Sequence, residues 1–295
     1  MADALFEKVA FIGIGLIGSS MARRMMADGL VSEIVACARS EETRSKALEL
    51  SIASQAFEDP AVAVEHADLV VIATPIGSYG AIAQAIAPAL KPGAIVTDVG
   101  SVKQAVVDAV TPHLGEQNPF VPGHPIAGTE DSGPESGFPE LFDGRWTILT
   151  PTDETDTDAV EKVKALWQAM GAMADTMTPS HHDMVLAITS HLPHLIAYTI
   201  VGTATDLEDD LRQEVVKYSA SGFRDFTRIA ASDPVMWRDI FLNNRDATLE
   251  TLQRFSEDLT ALQRAIRRGE GDALEDLFAR TRKIRRGIID AKQAD

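Results

Sequence analysis

The sequence predicts an α/β fold in which a doubly wound parallel sheet is followed by an all-α domain. In the first half, short apolar runs alternate with helix-length segments, and strands separated in this way form right-handed βαβ units. The runs are continuously apolar, which is typical of strands buried on both faces of a parallel sheet. From about Thr178 the strand pattern ends. We therefore expect a sheet domain over residues 1–177 and a helical domain over 178–295.

The elements of the first domain follow from this alternation. The expected strands are Lys8–Ile12, Glu33–Ala38, Asp68–Ala73 and Ala94–Thr97. The expected helices are Leu16–Asp28, which Gly29 ends, and segments around Ala61–Glu65, Gly80–Leu90 and Ser101–Val110. A further strand and helix close the domain, at Trp146–Thr150 and Asp156–Met170.

The stretch Pro122–Arg145 interrupts the alternation. It contains five glycines and four prolines and is too long for a simple connection. Long irregular segments in compact domains are usually functional or disordered, so we expect a functional loop here.

The second domain is predicted to be helical throughout. The expected helices are His181–Thr205, Asp209–Ala220, Pro234–Asp258, Leu259–Arg268 and Asp272–Ile289. The tetrapeptide IRRG occurs twice, at Ile266–Gly269 and Ile284–Gly287. Because Arg suits the helix dipole and Gly the C-terminal cap, we expect both copies to end helices.

The composition excludes several classes of protein. Acidic residues outnumber basic ones by 44 to 27, which gives a net charge of −17 and argues against nucleic acid or a membrane surface as a partner. Cys37 is the only cysteine, so neither an intrachain disulfide nor a thiol-rich zinc site is possible. No apolar run approaches the roughly 20 residues that span a bilayer, and the acidic N-terminus is unlike a signal peptide. We expect a cytoplasmic protein.

A glycine-rich turn, GIGLIG, follows the first strand and opens the first helix. Gly13 permits the tight turn, Gly15 lets a pyrophosphate approach the backbone, and Gly18 lets helix and sheet pack closely. The helix N-terminus at Leu16 and Ile17 supplies amide donors for phosphates. In this context the motif predicts a Rossmann-type dinucleotide-binding domain.

The end of the second strand indicates which dinucleotide binds. NAD sites carry Asp or Glu there for the ribose 2′-OH, whereas this chain has Ala38 followed by Arg39 and Ser40. A guanidinium and a hydroxyl suit a 2′-phosphate, so NADP is favoured and NAD is the alternative, with Arg39 then a solvated loop residue. Thr74 and Pro75, directly after the third strand, are expected to line the same site.

Polar residues follow the next two strands, at the sheet edge where ligands of doubly wound folds bind. The first segment carries Gly100 and Ser101, and Ser101 is also placed to cap a helix. The second carries His124 between glycine and proline, and we expect its ring at a strand end, outside the apolar core. A histidine with a near-neutral pKa suits general acid–base catalysis, and a structural role is the alternative.

Two histidines, His191 and His194, lie three residues apart in a helical segment and can share one face. A metal pair is the rival interpretation, but no carboxylate stands at a spacing typical of zinc helices. Pro193 between them is expected to kink the helix. We assign His181 and His182 to the helix start and give them no role.

The segment GFRDFTR forms a third polar cluster. Asp225 and Arg228 are three residues apart, so the carboxylate can orient a guanidinium that binds a substrate carboxylate. The alternative is a surface ion pair worth less than about 1 kcal/mol. Trp237 downstream is expected to be a core or interface aromatic residue.

Five motifs, at these spacings, resemble the prephenate/arogenate (cyclohexadienyl) dehydrogenases of tyrosine biosynthesis. They are GIGLIGSS, DVGSVK, GHPIAGTE, SHLPH and GFRDFTR, and the resemblance covers essentially the whole chain. It implies a Rossmann-type domain, a C-terminal helical dimerisation domain and thus a homodimer. It also implies oxidative decarboxylation of prephenate or arogenate with a nicotinamide cofactor.

The resemblance implies residue roles as well. His124 matches the histidine that takes the proton of the ring hydroxyl, and Ser101 matches the serine that bridges this histidine, the hydroxyl and the nicotinamide. Arg228 matches the arginine that binds the ring carboxylate. The other matches are Asp225 and Trp237, which shape access to the pocket, and His194, Ser190 and Thr129, which lie towards the substrate side chain.

Two other functions stay open at this point. A related dehydrogenase of 3-hydroxy acids or pyrrolines would carry a lysine base on a helix, where this chain offers histidines and arginine. A nicotinamide-binding sensor without catalysis is the non-enzymatic alternative. The sequence also leaves open the choice between prephenate and arogenate, and tyrosine is a candidate product inhibitor.

Overall fold

The computed structural model describes residues 4–129, 131–205, 217 and 221–290. Its main sheet has six strands, all parallel, in the order β3-β2-β1-β4-β5-β6. They are β1 (Phe6–Ile12), β2 (Val31–Cys37), β3 (Gln55–Phe57), β4 (Leu69–Ile72), β5 (Ile95–Asp98) and β6 (Phe120–Val121). This strand order is that of the Rossmann fold, so the predicted doubly wound sheet is confirmed.

Helices connect these strands and cover both faces of the sheet. They are α1 (Leu16–Ala27), α2 (Glu41–Glu49), α3 (Pro60–Ala63), α4 (Tyr79–Ile86) and α5 (Gln104–Val110), with α6 (Thr157–Ala169) following later. The helix predicted from Ser101 begins at Gln104, and its N-cap is Lys103 without a side-chain cap. Ser101 is therefore not the N-cap that the sequence predicted.

Burial on both faces explains why the strands read as continuous apolar runs. In β1, Val9 and Phe11 enter one apolar cluster, whereas Ala10 and Ile12 enter the other, on the opposite face. Each of the four is at most 2% exposed. Side chains alternate along a strand, so a strand inside a two-faced core needs apolar residues at every position.

A second, smaller sheet follows in the chain. It contains β7 (Gly123–Pro125), β8 (Trp146–Leu149) and β9 (Met173–Thr176), with β7 antiparallel and β9 parallel to β8. The stretch Pro122–Arg145, predicted to be a loop, therefore begins with a strand, β7. The short segments GHP and MADT lack the β-branched runs that signal a strand, and pairing to β8 is what orders them.

Among the described residues, the helices that follow are α7 (Pro179–Leu186), α8 (Leu192–Thr205), α9 (Ser221–Thr227), α10 (Pro234–Asn243), α11 (Arg245–Arg268) and α12 (Gly271–Asp290). The helix break expected after Asp258 is wrong. The helix that begins at Pro234 ends at Asn243, and α11 then runs from Arg245 to Arg268 without interruption. Gly269 ends α11 with a φ of +68°, as IRRG predicts, but Gly287 lies inside α12. The predicted helix over 209–220 falls outside the described residues except Lys217.

Residues 1–245 and 246–295 form two compact units. In the first unit, Pro179–Ala204 is long and apolar enough, by length and composition alone, to cross a membrane. This corrects the expectation that no apolar run approaches that length. Between α7 and α8 the segment forms a π-helical turn over Ala187–His191, just before Pro193, which lacks the N–H that a regular helix needs. Its polar residue Asp183 accepts hydrogen bonds from the main chain of the sheet domain, so the segment packs as part of this fold.

Candidate active site

The glycine turn between β1 and α1 leaves an open space above Gly15. Gly13 has a φ of +95°, and a Cβ there would lie 2.5 Å from the carbonyl oxygen of Ala73. A Cβ on Gly18 would lie 2.8 Å from the carbonyl oxygen of Gly13, whereas one on Gly15 would meet nothing within 4 Å. The first and third glycines thus close the turn, and the second faces space that a ligand can fill.

The N-terminus of α1 faces this space. Gly15 is the N-cap residue, and within the described residues no side chain caps the first turn, which begins at Leu16 and Ile17. Amides at such a helix end need acceptors, and the dipole favours an anion there. These residues therefore fit the pyrophosphate of a dinucleotide.

The corner after β2 holds two guanidinium groups. Arg39 is exposed, and Arg44, which the sequence analysis did not single out, donates from Nη1 to the carbonyl oxygens of Ala38 (2.7 Å) and Arg39 (2.8 Å). The hydroxyl of Ser40 caps α2 by accepting from the amide of Thr43. Arg44 thus holds the turn that presents Arg39.

Thr74 and Pro75 lie beside the same turn, because they follow β4, the neighbour of β1. The Thr74 methyl group would lie 2.9 Å from a Cβ on Gly13, and the Thr74 hydroxyl is 2.8 Å from that of Ser78. The sheet order therefore brings the glycine turn and this segment together.

A buried ion pair ties the end of β5 to β7. The Lys103 ammonium, fully buried, donates to Asp98 Oδ2 and to the Gly123 carbonyl oxygen, both at 2.6 Å. Asp98 also accepts from the amides of Gly100 (2.7 Å) and Gly123 (3.0 Å). Burial lowers the pKa of Lys103, and the Asp98 charge opposes that effect. This pair fixes the backbone on which the next residue, His124, stands.

His124 is buried on β7, with 8% of its surface exposed, so the expectation of a ring outside the core is wrong. Its Nδ1 lies 2.8 Å from Nε2 of His182, and Nδ1 of His182 lies 2.9 Å from Oδ1 of Asp183. Asp183 in turn accepts from the amides of Lys103 and Gln104. His182, to which the sequence analysis gave no role, is thus a direct neighbour of the predicted base.

Histidine pKa values in this cluster are low. Burial lowers the pKa of His124 well below 6.5, with smaller contributions from His182 and Lys103. Burial also lowers the pKa of His182 and takes that of His191 to about 4. These rings are therefore neutral at physiological pH.

His191 and His194 both contact Trp237. His194 stacks on the indole at 3.6 Å between ring centroids, and His191 meets it edge-on at 6.1 Å. Nδ1 of His191 accepts from Asn244, which also donates to the carbonyl oxygen of Asp183. Among the described residues, no atom forms a hydrogen bond of acceptable geometry with Nε2 of His191. The backbone of Ser101 is nevertheless close enough to raise the pKa of His191, against the larger effect of burial. Trp237 is buried against this histidine face rather than at an exposed surface.

The part of the chain that the structure describes contains no group of three or more His, Cys, Asp or Glu side chains placed to hold a metal ion. His194 instead bonds through Nδ1 to the Ser190 carbonyl oxygen at 2.9 Å. Nδ1 of His191 is likewise engaged in a hydrogen bond, to Asn244.

The predicted carboxylate-binding residue lies near His194. Arg228 begins a 3₁₀ turn after α9. Burial lowers the pKa of His194, and the nearby charge of Arg228 lowers it further. Asp225 is exposed on α9. Within the described residues no ion pair joins Asp225 to Arg228, so the predicted orientation of the guanidinium by this carboxylate is not observed. Thr129 is exposed and accepts from the amide of Asp131.

Ser101 is half-buried between the Asp98 cluster and the histidines. Its side chain makes no hydrogen bond to His124 within the described residues, so a direct Ser101–His124 bond is not observed. The arrangement brings the glycine turn, Thr74, Gly100 and His124 to the carboxyl ends of the strands. A neutral buried imidazole there can take a proton from a ligand beside a dinucleotide.

Comparisons with known proteins agree with this geometry. A family model described as "Prephenate dehydrogenase, nucleotide-binding domain" matches residues 21–175, and one described as "Prephenate dehydrogenase, dimerization domain" matches residues 178–280. The chain is 42% identical to a cyclohexadienyl dehydrogenase of Zymomonas mobilis over 93% of each protein. It is 35% identical to a prephenate dehydrogenase of Bacillus subtilis, over 92% of this chain and 72% of that one.

Solved structures give the same result. The prephenate dehydrogenase of Aquifex aeolicus, in complex with hydroxyphenyl propionate and NAD+, superposes with a TM-score of 0.88 and 35% identity, over 96% of this chain and 98% of that one. The arogenate dehydrogenase of Synechocystis superposes with a TM-score of 0.80 and 28% identity, over 95% and 99% of the two chains.

Proposed function

Because the chain belongs to the prephenate dehydrogenase family, we propose that the cluster around His124 carries out the family's reaction. The enzyme is an NAD(P)-dependent oxidoreductase of tyrosine biosynthesis. It converts prephenate, arogenate or both by oxidative decarboxylation, giving 4-hydroxyphenylpyruvate or tyrosine. The observation that supports His124 as the base is its buried ring, whose pKa burial lowers, on the strand that the Lys103–Asp98 pair ties to the end of β5.

In this proposal His124 takes the proton of the ring hydroxyl through Nε2. A base at this position lowers the barrier because removing hydride from the carbinol carbon develops a carbonyl, an effect worth about 10²–10⁴-fold. Bound NAD(P)+ supplies the hydride acceptor. The amides of α1 and the turn at Gly13, Gly15 and Gly18 would hold its pyrophosphate, with Thr74, Pro75 and Gly100 along the same edge. Loss of carbon dioxide then restores an aromatic ring.

The substrate is bound by Arg228 and the residues around His194. Arg228 binds the ring carboxylate, and Ser101 contacts the hydroxyl and the nicotinamide. His194, Ser190 and Thr129 lie towards the substrate side chain, and Asp225 and Trp237 shape access. The support for this set is the resemblance together with the position of Arg228 close to His194.

The proposal extends to the choice of cofactor, the assembly of the enzyme and its inhibition. NADP is favoured over NAD, supported by Arg39 and Arg44 at the end of β2 and by Ala38 in place of a carboxylate. Residues 178–295 form the substrate and dimerisation domain of a homodimer in the cytoplasm, and tyrosine competes as a product inhibitor. No nucleic acid or membrane takes part.

Steady-state kinetics with prephenate and arogenate, each paired with NAD and NADP, tests this function. We expect cofactor reduction with at least one of the two substrates and a higher kcat/KM with NADP. A preference for NAD would contradict the cofactor proposal, and no turnover with any of the four pairs would contradict the function. Adding tyrosine to the same assay is expected to raise KM without changing kcat.

Replacing Arg228 with Gln is expected to raise KM for the substrate about 10- to 100-fold, since a charge-assisted hydrogen bond to a carboxylate contributes about 1.5–3 kcal/mol. The change in kcat is expected to be smaller. Arg224→Gln, on the exposed surface of α9, is the matched control and leaves KM unchanged. An unchanged KM in Arg228→Gln would remove this residue from carboxylate binding.

The pH dependence of kcat/KM is expected to differ from that of a solvent-exposed histidine. The base acts when neutral, and burial lowers the pKa of His124 well below 6.5. Activity is therefore expected to rise with pH along a limb that lies below pH 6.5 and to be level just above it. A limb centred at or above pH 6.5, measured with saturating cofactor, would contradict this assignment.

A further inference from the structure

His182 lies against the proposed base but has no part in the mechanism above. We propose that His182 is a positioning residue that, together with Asp183, holds His124 in the tautomer whose Nε2 is unprotonated. The proposal rests on the proposed role of His124. It follows from the direction of three successive hydrogen bonds.

The chain of bonds starts at a group that can only accept. The carboxylate of Asp183 accepts from the amides of Lys103 (2.8 Å) and Gln104 (2.9 Å). Its Oδ1 is also 2.9 Å from Nδ1 of His182, a ring that is fully buried. Because an ionised carboxylate has no proton to give, the proton of this bond is on Nδ1 of His182.

The tautomer of His182 then sets which atom donates in its hydrogen bond to His124. Neutral imidazole has one donor and one acceptor nitrogen, so a proton on His182 Nδ1 makes His182 Nε2 an acceptor. The only atom at hydrogen-bond distance from it in the described structure is Nδ1 of His124, at 2.8 Å, which must donate. Burial lowers the pKa of both rings, in keeping with two neutral imidazoles. His124 Nε2 is left with its lone pair.

Such a lone pair is what a base at Nε2 requires. The other tautomer of His124 would present an N–H to the substrate hydroxyl and could not take its proton. In Ser-His-Asp hydrolases, a carboxylate that selects the histidine tautomer is worth about 10⁴-fold in kcat. Here a second imidazole stands between the carboxylate and the base and transmits the same selection.

Two substitutions of His182 separate positioning from packing. His182→Phe keeps a ring but removes the acceptor, and kcat is expected to fall about 10²-fold or more while KM changes by less than about threefold. His182→Gln supplies an amide oxygen that accepts from His124 and an amide nitrogen that donates to Asp183, so most of kcat returns. His181→Phe, the exposed neighbour on α7, is the matched control and keeps full activity.

A spectrum of selectively ¹⁵N-labelled histidines reads the tautomer without any assay of activity. In the unaltered enzyme we expect His124 protonated at Nδ1 and bare at Nε2, and in His182→Phe a mixture of both tautomers. A proton on His124 Nε2 in the unaltered enzyme, or equal kcat for His182→Phe and the unaltered enzyme, would overturn the proposal.

These measurements also distinguish this proposal from the proposed function. If His124→Asn keeps full turnover, the assignment of the base fails, whereas the spectrum of the unaltered enzyme still decides whether His182 selects the tautomer. If the base is essential and the tautomer is the wrong one, only the role of His182 fails.

Discussion

Replacing His124 with Asn is expected to lower kcat by at least about 10²-fold, because Asn can still bond to His182 but has no basic nitrogen. Cofactor binding is expected to stay intact, since the residues proposed to hold the pyrophosphate lie on the glycine turn and after β4, and not on β7. Single-turnover reduction of the cofactor, with cofactor affinity measured separately by fluorescence titration, gives both quantities.

The matched control for this variant is His113→Asn, an exposed histidine in the 3₁₀ turn that follows α5. It is expected to keep the kcat of the unaltered enzyme. Turnover of His124→Asn within a few-fold of that value would remove the histidine from the chemistry and leave Ser101 as the remaining candidate for the hydroxyl contact.

Replacing Lys103 with Met is expected to lower the free energy of unfolding by about 3–5 kcal/mol, the usual cost of breaking a buried ion pair on one side. The substitution leaves the buried Asp98 carboxylate without its cation, and the amides of Gly100 and Gly123 still donate to it. Chemical denaturation followed by circular dichroism measures the change.

Two variants make this result specific. Lys91→Met removes the cation of a partly exposed pair with Asp68 and is expected to cost less than about 1 kcal/mol. The double variant Lys103→Met with Asp98→Asn removes both charges and is expected to recover part of the loss. A cost for Lys103→Met no greater than that for Lys91→Met would show that the pair does not support the sheet edge.

The fold was predictable because its signals are local. The strands β1, β2, β4 and β5 each contain an apolar run, and GIGLIG combines the turn, the ligand approach and the helix contact in six residues. The segments that were missed, such as β9, are ordered by pairing with a distant strand. The break at Asn244 was missed for a similar reason, since its side chain bonds to His191 and Asp183, residues far away in the sequence.

The site was predictable only in part. Residues that stand in specific motifs, such as His124 and Arg228, could be proposed from the sequence. The contact between His182 and His124 was missed because 58 residues separate them in the sequence, and only the fold brings the two rings together. Lys103 stands inside the motif DVGSVK, but a lysine is ordinarily solvated, and only the structure shows it fully buried on Asp98. An acidic residue directly after a histidine at the start of a helix was the available signal for the His182–Asp183 pair.

A crystal structure of the enzyme with oxidised cofactor and hydroxyphenyl propionate tests the central assignment most directly. We expect Nε2 of His124 within about 2.6–3.2 Å of the ligand hydroxyl and His182 still bonded to Nδ1 of His124. The nicotinamide is expected to face the ring carbon that carries this hydroxyl. A hydroxyl bound to another side chain, or a ligand and nicotinamide in separate cavities, would contradict the assignment.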